Sequence, residues 1–265
     1  MSSAPAPQSF RQRFLAHEQL LGTFIKTPTS HSIEIIGGIG FDFVVIDEEH
    51  APFDRVTIDM ALLAARASGA AGIVRVAEPT PAKLLAVLDD GATGVLAPHV
   101  SSVAKARDIV AACRYRGGKR GFSNSPRAGG YGAVGIWDHV DASDSSITVI
   151  AMIEDPEALD DIDAIVAVEG LDGFFIGRGD LTVALGAKGL ADPAVRSAAE
   201  KIIKAAARVA KPVCIMVAGA PEAQEWLKLG VSAFIVSSDQ GFMRQAAAKT
   251  HSDFASLVVA PAPKA

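Results

Sequence analysis

TVIAMIEDPEALDDIDAIVAVEGLDGFFIGRGDL, residues 148–181, contains two short apolar runs with a helical pattern between them. The runs, 148–153 and 173–176, are apolar almost throughout, which is typical of parallel strands that are covered on both faces. Parallel strands joined by a helix end at the same edge of a sheet. Glu154 and Asp180 come just after the two runs, so we expect both carboxylates at that edge.

Two carboxylates that face each other repel unless a cation lies between them. Hard divalent ions prefer oxygen ligands, so Glu154 and Asp180 are candidate metal ligands. Each acid also has a local alternative. Glu154 precedes Asp155-Pro156 and would favour the N-terminus of the following helix, while Asp180 would serve as a helix cap.

The alternation of apolar runs and helical patterns extends along the chain. The predicted strands are 21–25, 43–46, 72–76, 94–97, 148–153, 173–176, 213–217 and 233–236. The predicted helices are 30–37, 57–68, 81–89, 103–113, 156–168, 193–210, 221–229 and 240–257. Eight such units in about 250 residues predict a single (β/α)8 TIM barrel. The rival, a doubly wound α/β sheet, usually carries a Gly-rich turn after its first strand, which LGTFIKTP lacks.

Composition limits the class of protein. The 265 residues are 49% hydrophobic and 21% charged, as in an ordinary globular protein, and the net charge of -5 gives no nucleic-acid footprint. The sequence shows neither a bilayer-spanning apolar run nor a signal peptide core. Cys113 and Cys214 lie in apolar surroundings and predict buried thiols in a reducing compartment. We therefore expect a cytoplasmic protein without nucleic-acid or membrane partners.

The ends and one internal connection stand apart from the repeating units. We expect a barrel domain over residues 13–258, with flexible Ala/Pro-rich tails at 1–12 and 259–265. The connection 116–146 is long, irregular and rich in glycine, and loops of that length are more often functional than idle.

Catalytic groups of a barrel lie at the carboxyl ends of its strands. The polar residues at those predicted positions are Asp47, Glu48, Glu49, His50, Arg75, His99, Glu154, Arg178, Asp180, Ser237, Ser238 and Asp239. Arg75 interrupts an apolar strand, so it either reaches solvent or binds an anion in the mouth. His50 and His99 are either functional or surface-loop histidines. Lys26 is the one lysine placed for an imine mechanism, but two acids on one face favour the metal route.

Six segments, read in order, resemble a known family. They are FVVIDEEHAP (43–52), VRV (74–76), LLAVLDDGA (84–92), RYRGGKRG (114–121), MIE (152–154) and GLDGFFIGRGDL (170–181). Together they look like the HpcH/HpaI family of class II pyruvate aldolases, such as those acting on 4-hydroxy-2-oxoheptanedioate or 2-keto-3-deoxy sugar acids. The likeness runs from about residue 20 to about residue 249.

The resemblance implies a phosphoenolpyruvate/pyruvate-type barrel that reversibly cleaves 4-hydroxy-2-oxo acids. The products would be pyruvate, or a similar 2-oxo acid, and an aldehyde, through an enolate bound to Mg²⁺, Mn²⁺ or Co²⁺. It also implies a homo-oligomer, a trimer or hexamer, whose last helix is exchanged between subunits.

The resemblance also suggests a role for each candidate residue. Glu154 and Asp180 match the metal ligands, Arg75 the group that stabilises the enolate oxygen, and His50 the acid/base. Asp89 matches an acid that raises the basicity of that histidine, and Asp47 and Glu49 match acids that order metal-bound water. The substrate pocket would be formed by Met152, Gly177, Arg178 and Gly179, with the backbone N–H of Gly179 on the substrate carboxylate.

Four positions depart from the family pattern. Met152 stands where glutamine is common, Arg178-Gly179 replaces Pro-Ala, Arg116 replaces a proline, and Glu48 replaces a glycine. Arg178 would either add an anion contact or point outward.

Two other functions are consistent with the same sequence. A citrate-lyase-type enzyme acting on an acyl-CoA would need a CoA-binding surface, for which no basic, adenine-stacking segment is clear. A non-catalytic barrel with a structural metal ion would leave Arg75 and His50 without a role.

Overall fold

Eight parallel strands form a closed barrel in chain order. The computed structural model describes residues 8–257. Its strands are β1 (Leu20–Ile25), β2 (Phe43–Asp47), β3 (Ala71–Arg75), β4 (Gly94–Ala97), β5 (Thr148–Ile153), β6 (Gly173–Ile176), β7 (Val213–Val217) and β8 (Ala233–Ser238). β8 pairs with β1 and closes the ring. The predicted (β/α)8 fold is confirmed, because the observed strands match the eight predicted runs closely.

Helices surround the barrel and return the chain from the end of each strand to the start of the next. The described α-helices are α1 (Phe10–Leu15), α2 (Ser30–Ile39), α3 (Arg55–Ser68), α4 (Pro81–Asp89), α5 (Val103–Cys113), α6 (Ile136–Ser146), α7 (Ile162–Val166), α8 (Arg178–Ala184), α9 (Pro193–Arg208), α10 (Ala220–Leu227) and α11 (Asp239–Ala255). The helix predicted over 156–168 is divided into a 3-10 turn, Pro156–Leu159, and α7. Several helices start as the sequence indicates: Thr80 caps α4 through its side chain, with Pro81 in the first turn.

Helix α1 was not predicted and lies at the amino end of the barrel. Ser9 and Gln12 form a capping box, and the ring of Phe14 is so close to Gly173 that a Cβ there would come within 2.5 Å of it. Phe10 and Phe14 are buried with the residues that fill the barrel interior. The predicted tail 1–12 is therefore wrong for residues 10–12. Residues 1–7 and the predicted tail 259–265 lie outside the described residues.

The Gly-rich connection 116–146 lies at the end of the barrel opposite the mouth. It contains the 3-10 segment Arg127–Gly132 and helix α6, and it links the end of α5 to the start of β5. A segment that joins a helix to the next strand lies at the amino end of a parallel barrel, whereas the mouth is at the carboxyl end. The connection therefore cannot be long because it covers the mouth of its own chain.

Both cysteines are buried and free, as predicted. Burial raises the pKa of the Cys113 thiol to about 12, and it raises the pKa of the Cys214 thiol as well. No helix within residues 8–257 is long and apolar enough to span a bilayer.

The burial of Phe14 gives a test of the packing of α1 against the amino end of the barrel. We expect Phe14→Ala to lower the free energy of unfolding by about 3–5 kcal/mol, because the ring leaves a cavity at the base of the barrel. Urea unfolding followed by circular dichroism measures the change. Leu15→Ala is the control, since Leu15 is 37% exposed. An equal decrease in the free energy of unfolding in the two variants would contradict the packing of Phe14 in the barrel interior.

Candidate active site

A buried ion pair occupies the centre of the mouth. Asp47 and Arg75 are the last residues of β2 and β3 and are directly paired in register. Arg75 Nε and Nη2 donate to the two carboxylate oxygens of Asp47, at 2.9 and 2.7 Å. Burial by itself would raise the pKa of the Asp47 carboxyl, but the hydrogen bonds and charge of Arg75 outweigh it and hold the pKa below its ordinary value. The guanidinium also stacks over the ring of Phe24, 4.8 Å from its centroid, so its position is fixed.

Glu49 and His50 extend this cluster to the rim. Arg75 Nη1 lies 3.3 Å from Glu49 Oε2, and the backbone N–H of His50 donates to Asp47 Oδ1 at 3.1 Å. His50 Nε2 is 3.8 Å from Glu49 Oε2, and the side chain of His50 is 54% exposed. The imidazole is therefore beside the buried cluster but open to a substrate or to water.

The two candidate metal ligands come together on the other side of the mouth. Glu154 follows β5 and is buried, while Asp180 lies in the first turn of α8 and is exposed. Burial, and then the nearby Asp180 carboxylate, raise the pKa of Glu154 to about 7 against the lowering effect of His99. The backbone N–H of His99 donates to Glu154 Oε1 at 2.8 Å and so fixes the carboxylate.

Gly177 and Met152 pack against Glu154. A Cβ on Gly177 would lie 2.5 Å from the Glu154 Cβ, 2.7 Å from Oε2 and 2.9 Å from the Met152 Cε. A side chain at position 177 would therefore displace the carboxylate. Gly179 differs, because a Cβ there would meet nothing within 4 Å.

The residues fit a divalent ion that takes two protein ligands. No group of three or more His, Cys, Asp or Glu within residues 8–257 has the arrangement of a metal site. Mg²⁺ is usually bound through one or two carboxylates, with water and substrate oxygens completing its shell. Glu49 Oε2 is also buried without a hydrogen-bond partner among the described residues, which leaves an acceptor for such a water.

Lys26 and His99 belong to the mouth as well. Lys26 Nζ, just after β1, lies 3.1 Å from Asp47 Oδ2. The His99 ring lies after β4, with Nδ1 3.0 Å from Asp155 and 3.4 Å from Glu154. Neither residue has a role among those that the family resemblance implies. The sequence signal that could have identified them as site residues is their position at the carboxyl end of a predicted strand.

A cavity of about 470 Å³ lies at the mouth, and neither His50 nor His99 is among the residues that line it. Arg75, Lys26, Gly177, Gly179 and Asp180 line it. Its apolar wall comes from Phe24, Met152, Phe175, Leu190, Met216 and Val217. A small organic acid would therefore meet cationic groups, the candidate metal ligand Asp180 and an apolar surface in one space.

The sequence matches the HpcH/HpaI aldolase/citrate lyase description over residues 20–246. The chain belongs to this family. A 5-keto-4-deoxy-D-glucarate aldolase of Klebsiella pneumoniae subsp. pneumoniae is 35% identical over 251 residues, covering 94% of this chain and 97% of that protein. The predicted family and lyase class are thereby confirmed. The class II aldolases of this family generally depend on a divalent metal ion.

Solved structures of similar proteins have the same fold as this chain. The citrate synthase SbnG superimposes with a TM-score of 0.85 at 31% identity, covering 92% of this chain and 96% of that one. An HpcH/HpaI aldolase from Desulfitobacterium hafniense superimposes with a TM-score of 0.88 at 26% identity, covering 95% and 98%. The family fold is therefore shared over nearly the whole chain.

Asp89 does not join the mouth of its own chain. It ends α4, which runs from the end of β3 to the start of β4, so it lies at the amino end of the barrel, away from His50. Its carboxylate accepts a hydrogen bond from Arg120 Nη2 at 2.9 Å. Within residues 8–257, Arg120 is therefore the ion-pair partner of this acid.

Arg178, a departure from the family pattern, turns toward α10. Its Nη1 lies 2.7 Å from Glu222 Oε1, its guanidinium stacks over Trp226 at 5.3 Å, and its Nη2 donates to the carbonyl of Met216. Burial would raise the pKa of Glu222, but the Ala218 N–H and Arg178 hold it below its ordinary value. Arg178 still lines the cavity, but its charge is paired with Glu222.

Glu48 and Arg116, two other departures, make contacts outside the mouth cavity. Glu48 pairs with Lys83 and accepts a hydrogen bond from the Ala77 N–H at 3.2 Å. Arg116 pairs with Asp141 at 2.6 Å and is exposed. Neither residue lines the cavity.

The Asp47–Arg75 pair predicts a pH-dependent stability. We expect Asp47→Asn to lower the free energy of unfolding at pH 7 by about 3 kcal/mol, because the buried guanidinium loses the carboxylate that accepts two of its hydrogen bonds. The native pKa of Asp47 is depressed, so its contribution is full above about pH 4 and is lost as the pH falls through the native pKa. The difference between the two proteins should therefore shrink in acid.

Urea titrations over a series of pH values measure this difference. Asp141→Asn is the matched control, because it removes the carboxylate of an exposed Asp–Arg pair and should cost no more than about 1 kcal/mol. A loss for Asp47→Asn that is as small as the control, or that is the same at every pH, would contradict the assignment.

Proposed function

We propose that this protein is a metal-dependent aldolase that reversibly cleaves 4-hydroxy-2-oxo acids to an aldehyde and pyruvate or a similar 2-oxo acid. The observation that carries the proposal is that the fixed guanidinium of Arg75 and the candidate metal ligand Asp180 line one cavity, with Glu154 buried against its Gly177 wall. The names of the curated relatives support it, since they are 5-keto-4-deoxy-D-glucarate aldolases.

We assign the metal to Glu154 and Asp180 and expect Mg²⁺, Mn²⁺ or Co²⁺, because all three accept oxygen ligands. When bound, such an ion supplies Lewis-acid polarisation of the 2-oxo group. Arg75 presents a permanently charged guanidinium to the same oxygen, which gains negative charge as the C3–C4 bond breaks. Asp47 keeps that guanidinium in place.

His50 is the proposed acid/base. In the cleavage direction its imidazole, directly or through a water, takes the proton of the C4 hydroxyl while the C3–C4 bonding electrons move to C3. The aldehyde leaves, and the imidazole, directly or through the same water, returns that proton to C3, which gives pyruvate. The exposed ring suits this exchange, because substrate and water can reach it, and the Glu49 carboxylate lies 3.8 Å from Nε2.

A second candidate is a citrate-lyase-type enzyme that makes or breaks a carbon–carbon bond in an acyl-CoA. The likeness to the citrate synthase SbnG favours it. It differs from the first proposal in requiring a CoA thioester and not a free 2-oxo acid as the enolate source.

We also propose a homo-oligomer, a trimer or a hexamer, in which α11 packs on a neighbouring subunit. Two observations support this. Met243 and Phe254 of α11 are 64% and 70% exposed, and an apolar cavity lies between α2 and α11, lined by Ile35, Ile36, Ile39, Phe41, Phe242 and Met243. A role for Asp89 beside His50 would then require Asp89 of a neighbouring subunit.

Exchange of the methyl protons of pyruvate tests the enolate chemistry. We expect ¹H NMR in D₂O to show exchange with Mg²⁺ and none after addition of EDTA, because the enolate needs its charge stabilised. Arg75→Ala and His50→Ala should each slow exchange at least roughly 100-fold. Arg116→Ala, at the far end of the barrel, should leave it unchanged.

Failure of the wild-type protein to exchange pyruvate protons with Mg²⁺, Mn²⁺ or Co²⁺ would refute the aldolase proposal. Exchange of the methyl protons of acetyl-CoA, with none in pyruvate, would favour the citrate-lyase-type alternative.

The packing of Gly177 against Glu154 tests the metal assignment without catalysis. We expect Gly177→Ala to weaken Mn²⁺ binding roughly 10- to 100-fold, because the new methyl group would displace the Glu154 carboxylate. Calorimetric titration measures the affinity. Gly179→Ala introduces the same methyl group two residues away, where it meets nothing within 4 Å, and should bind Mn²⁺ normally; equal affinities in the two variants would argue against Glu154 as a ligand.

A further inference from the structure

The turn that carries the candidate metal ligand Asp180 has little rigidity of its own. Gly177 precedes α8 without a side-chain cap, and Gly179 lies inside the first turn of this seven-residue helix. Glycine has more backbone freedom than any other residue and weakens a helix. Position 177 must nevertheless be glycine, because a Cβ there would come within 2.5 Å of the Glu154 Cβ. The local sequence therefore does not hold Asp180 in place, and short helices depend on contacts with their surroundings.

Asp180 depends on this backbone more than Glu154 does. The Glu154 carboxylate is buried and accepts the His99 N–H at 2.8 Å, so its position is fixed by the barrel. Asp180 is exposed, and its distance from Glu154 is set by where the first turn of α8 lies. An ion that takes both carboxylates binds more weakly when one of them is poorly oriented.

The side chain of Arg178, at the start of α8, fastens this turn to its neighbours. Its Nη1 lies 2.7 Å from Glu222 Oε1, its Nη2 donates to the carbonyl of Met216 in β7, and its guanidinium stacks over Trp226 of α10. The Arg178 side chain is 8% exposed, so the guanidinium needs its counter-charge. The pair thus differs from a solvated surface pair, which would restrain little.

Glu222 is itself held by α10 and by the connection that precedes this helix. Its Oε2 accepts the backbone N–H of Ala218 at 2.7 Å, and its Oε1 accepts the indole N–H of Trp226 at 3.4 Å. A fixed carboxylate can fix the guanidinium that binds it. The restraint therefore passes from β7 and α10, through Glu222 and Arg178, to the turn before Asp180.

We infer that Arg178 and Glu222 are positioning residues that hold Asp180 at the metal site and thereby raise the affinity for the divalent ion. This inference rests on the proposed assignment of the metal to Glu154 and Asp180. The family pattern has Pro-Ala in place of Arg178-Gly179. Proline has a fixed φ that suits the first position of a helix, and alanine is the best helix former. Pro-Ala would restrain the turn through its backbone, whereas this chain restrains it through a side-chain ion pair.

The affinity for Mn²⁺, measured by calorimetric titration, tests the inference without catalysis. We expect Glu222→Gln to weaken Mn²⁺ binding roughly 10-fold, because glutamine can still accept the Ala218 N–H but lacks the charge that holds Arg178. Arg178→Met, which removes the other partner, should weaken binding to a similar extent. Arg178→Pro combined with Gly179→Ala should bind Mn²⁺ nearly as well as the wild-type protein. Adding Glu222→Gln to that double variant should cause no further loss.

Two controls separate the position of Asp180 from the stability of the fold. Arg196→Met removes the second guanidinium over Trp226, 5.4 Å from the ring centroid. Its ion-pair partners, Glu200 and Glu225, lie in α9 and α10, so this variant should bind Mn²⁺ normally. The free energy of unfolding of every variant is measured by urea titration without metal, which shows how far each substitution weakens the fold.

The outcomes distinguish the inference from the metal assignment on which it rests. Asp180→Ala should abolish Mn²⁺ binding; binding that persists in this variant, or is absent in the wild-type protein, would overturn the metal assignment and the inference with it. If the assignment holds, unchanged Mn²⁺ affinity in Glu222→Gln and Arg178→Met would overturn the inference alone, even with a lower free energy of unfolding. The same follows if Glu222→Gln weakens binding equally with and without the Pro-Ala substitution, or if the Pro-Ala variant binds as weakly as Arg178→Met.

Discussion

The buried ion pair of Asp47 and Arg75 is the constraint around which the mouth of this barrel is organised. Isolated charges cannot be buried without a large cost, and Arg75 is almost fully buried, so a carboxylate must stand beside it in register. Asp47 meets that need with both oxygens and also accepts the His50 N–H. The same carboxylate faces Lys26. Its loss would therefore disturb the guanidinium, the turn that carries the histidine, and the lysine together.

The closed ring gives each charge a fixed place in relation to the others. Glu154 and Asp180 leave neighbouring strands and meet, whereas Lys26 is held on the opposite side by Asp239. Because burial and Asp180 disfavour the ionised form of Glu154, an ion bound between the two acids would be favoured by relief of that repulsion.

Much of this arrangement was predictable from sequence. The apolar runs located the strands, and the carboxyl-end rule located Asp47, Glu49, His50, Glu154 and Asp180. The errors have physical causes. Helix α1 is short and begins in an Ala/Pro-rich segment, so its capping box at Ser9 was read as part of a tail. Arg178 lines the cavity, but the local sequence did not indicate its partners, because Glu222 and Trp226 belong to α10, far away in sequence. The roles proposed for individual site residues remain predictions.

By itself, the sequence determined the number of strands, their parallel order and the end of the barrel at which the acids emerge, because these depend on local apolar patterns and on short connections. The tertiary structure decided which side chains meet. It paired Asp89 with Arg120 at the amino end, turned Arg178 against Glu222, and brought Lys26 to Asp47 across the junction of β1 and β2. Such pairings depend on how successive units pack and on the direction of each side chain. Closure of the ring adds the contacts between the first unit and the last, such as the hydrogen bonds from Lys26 and Thr27 to Asp239.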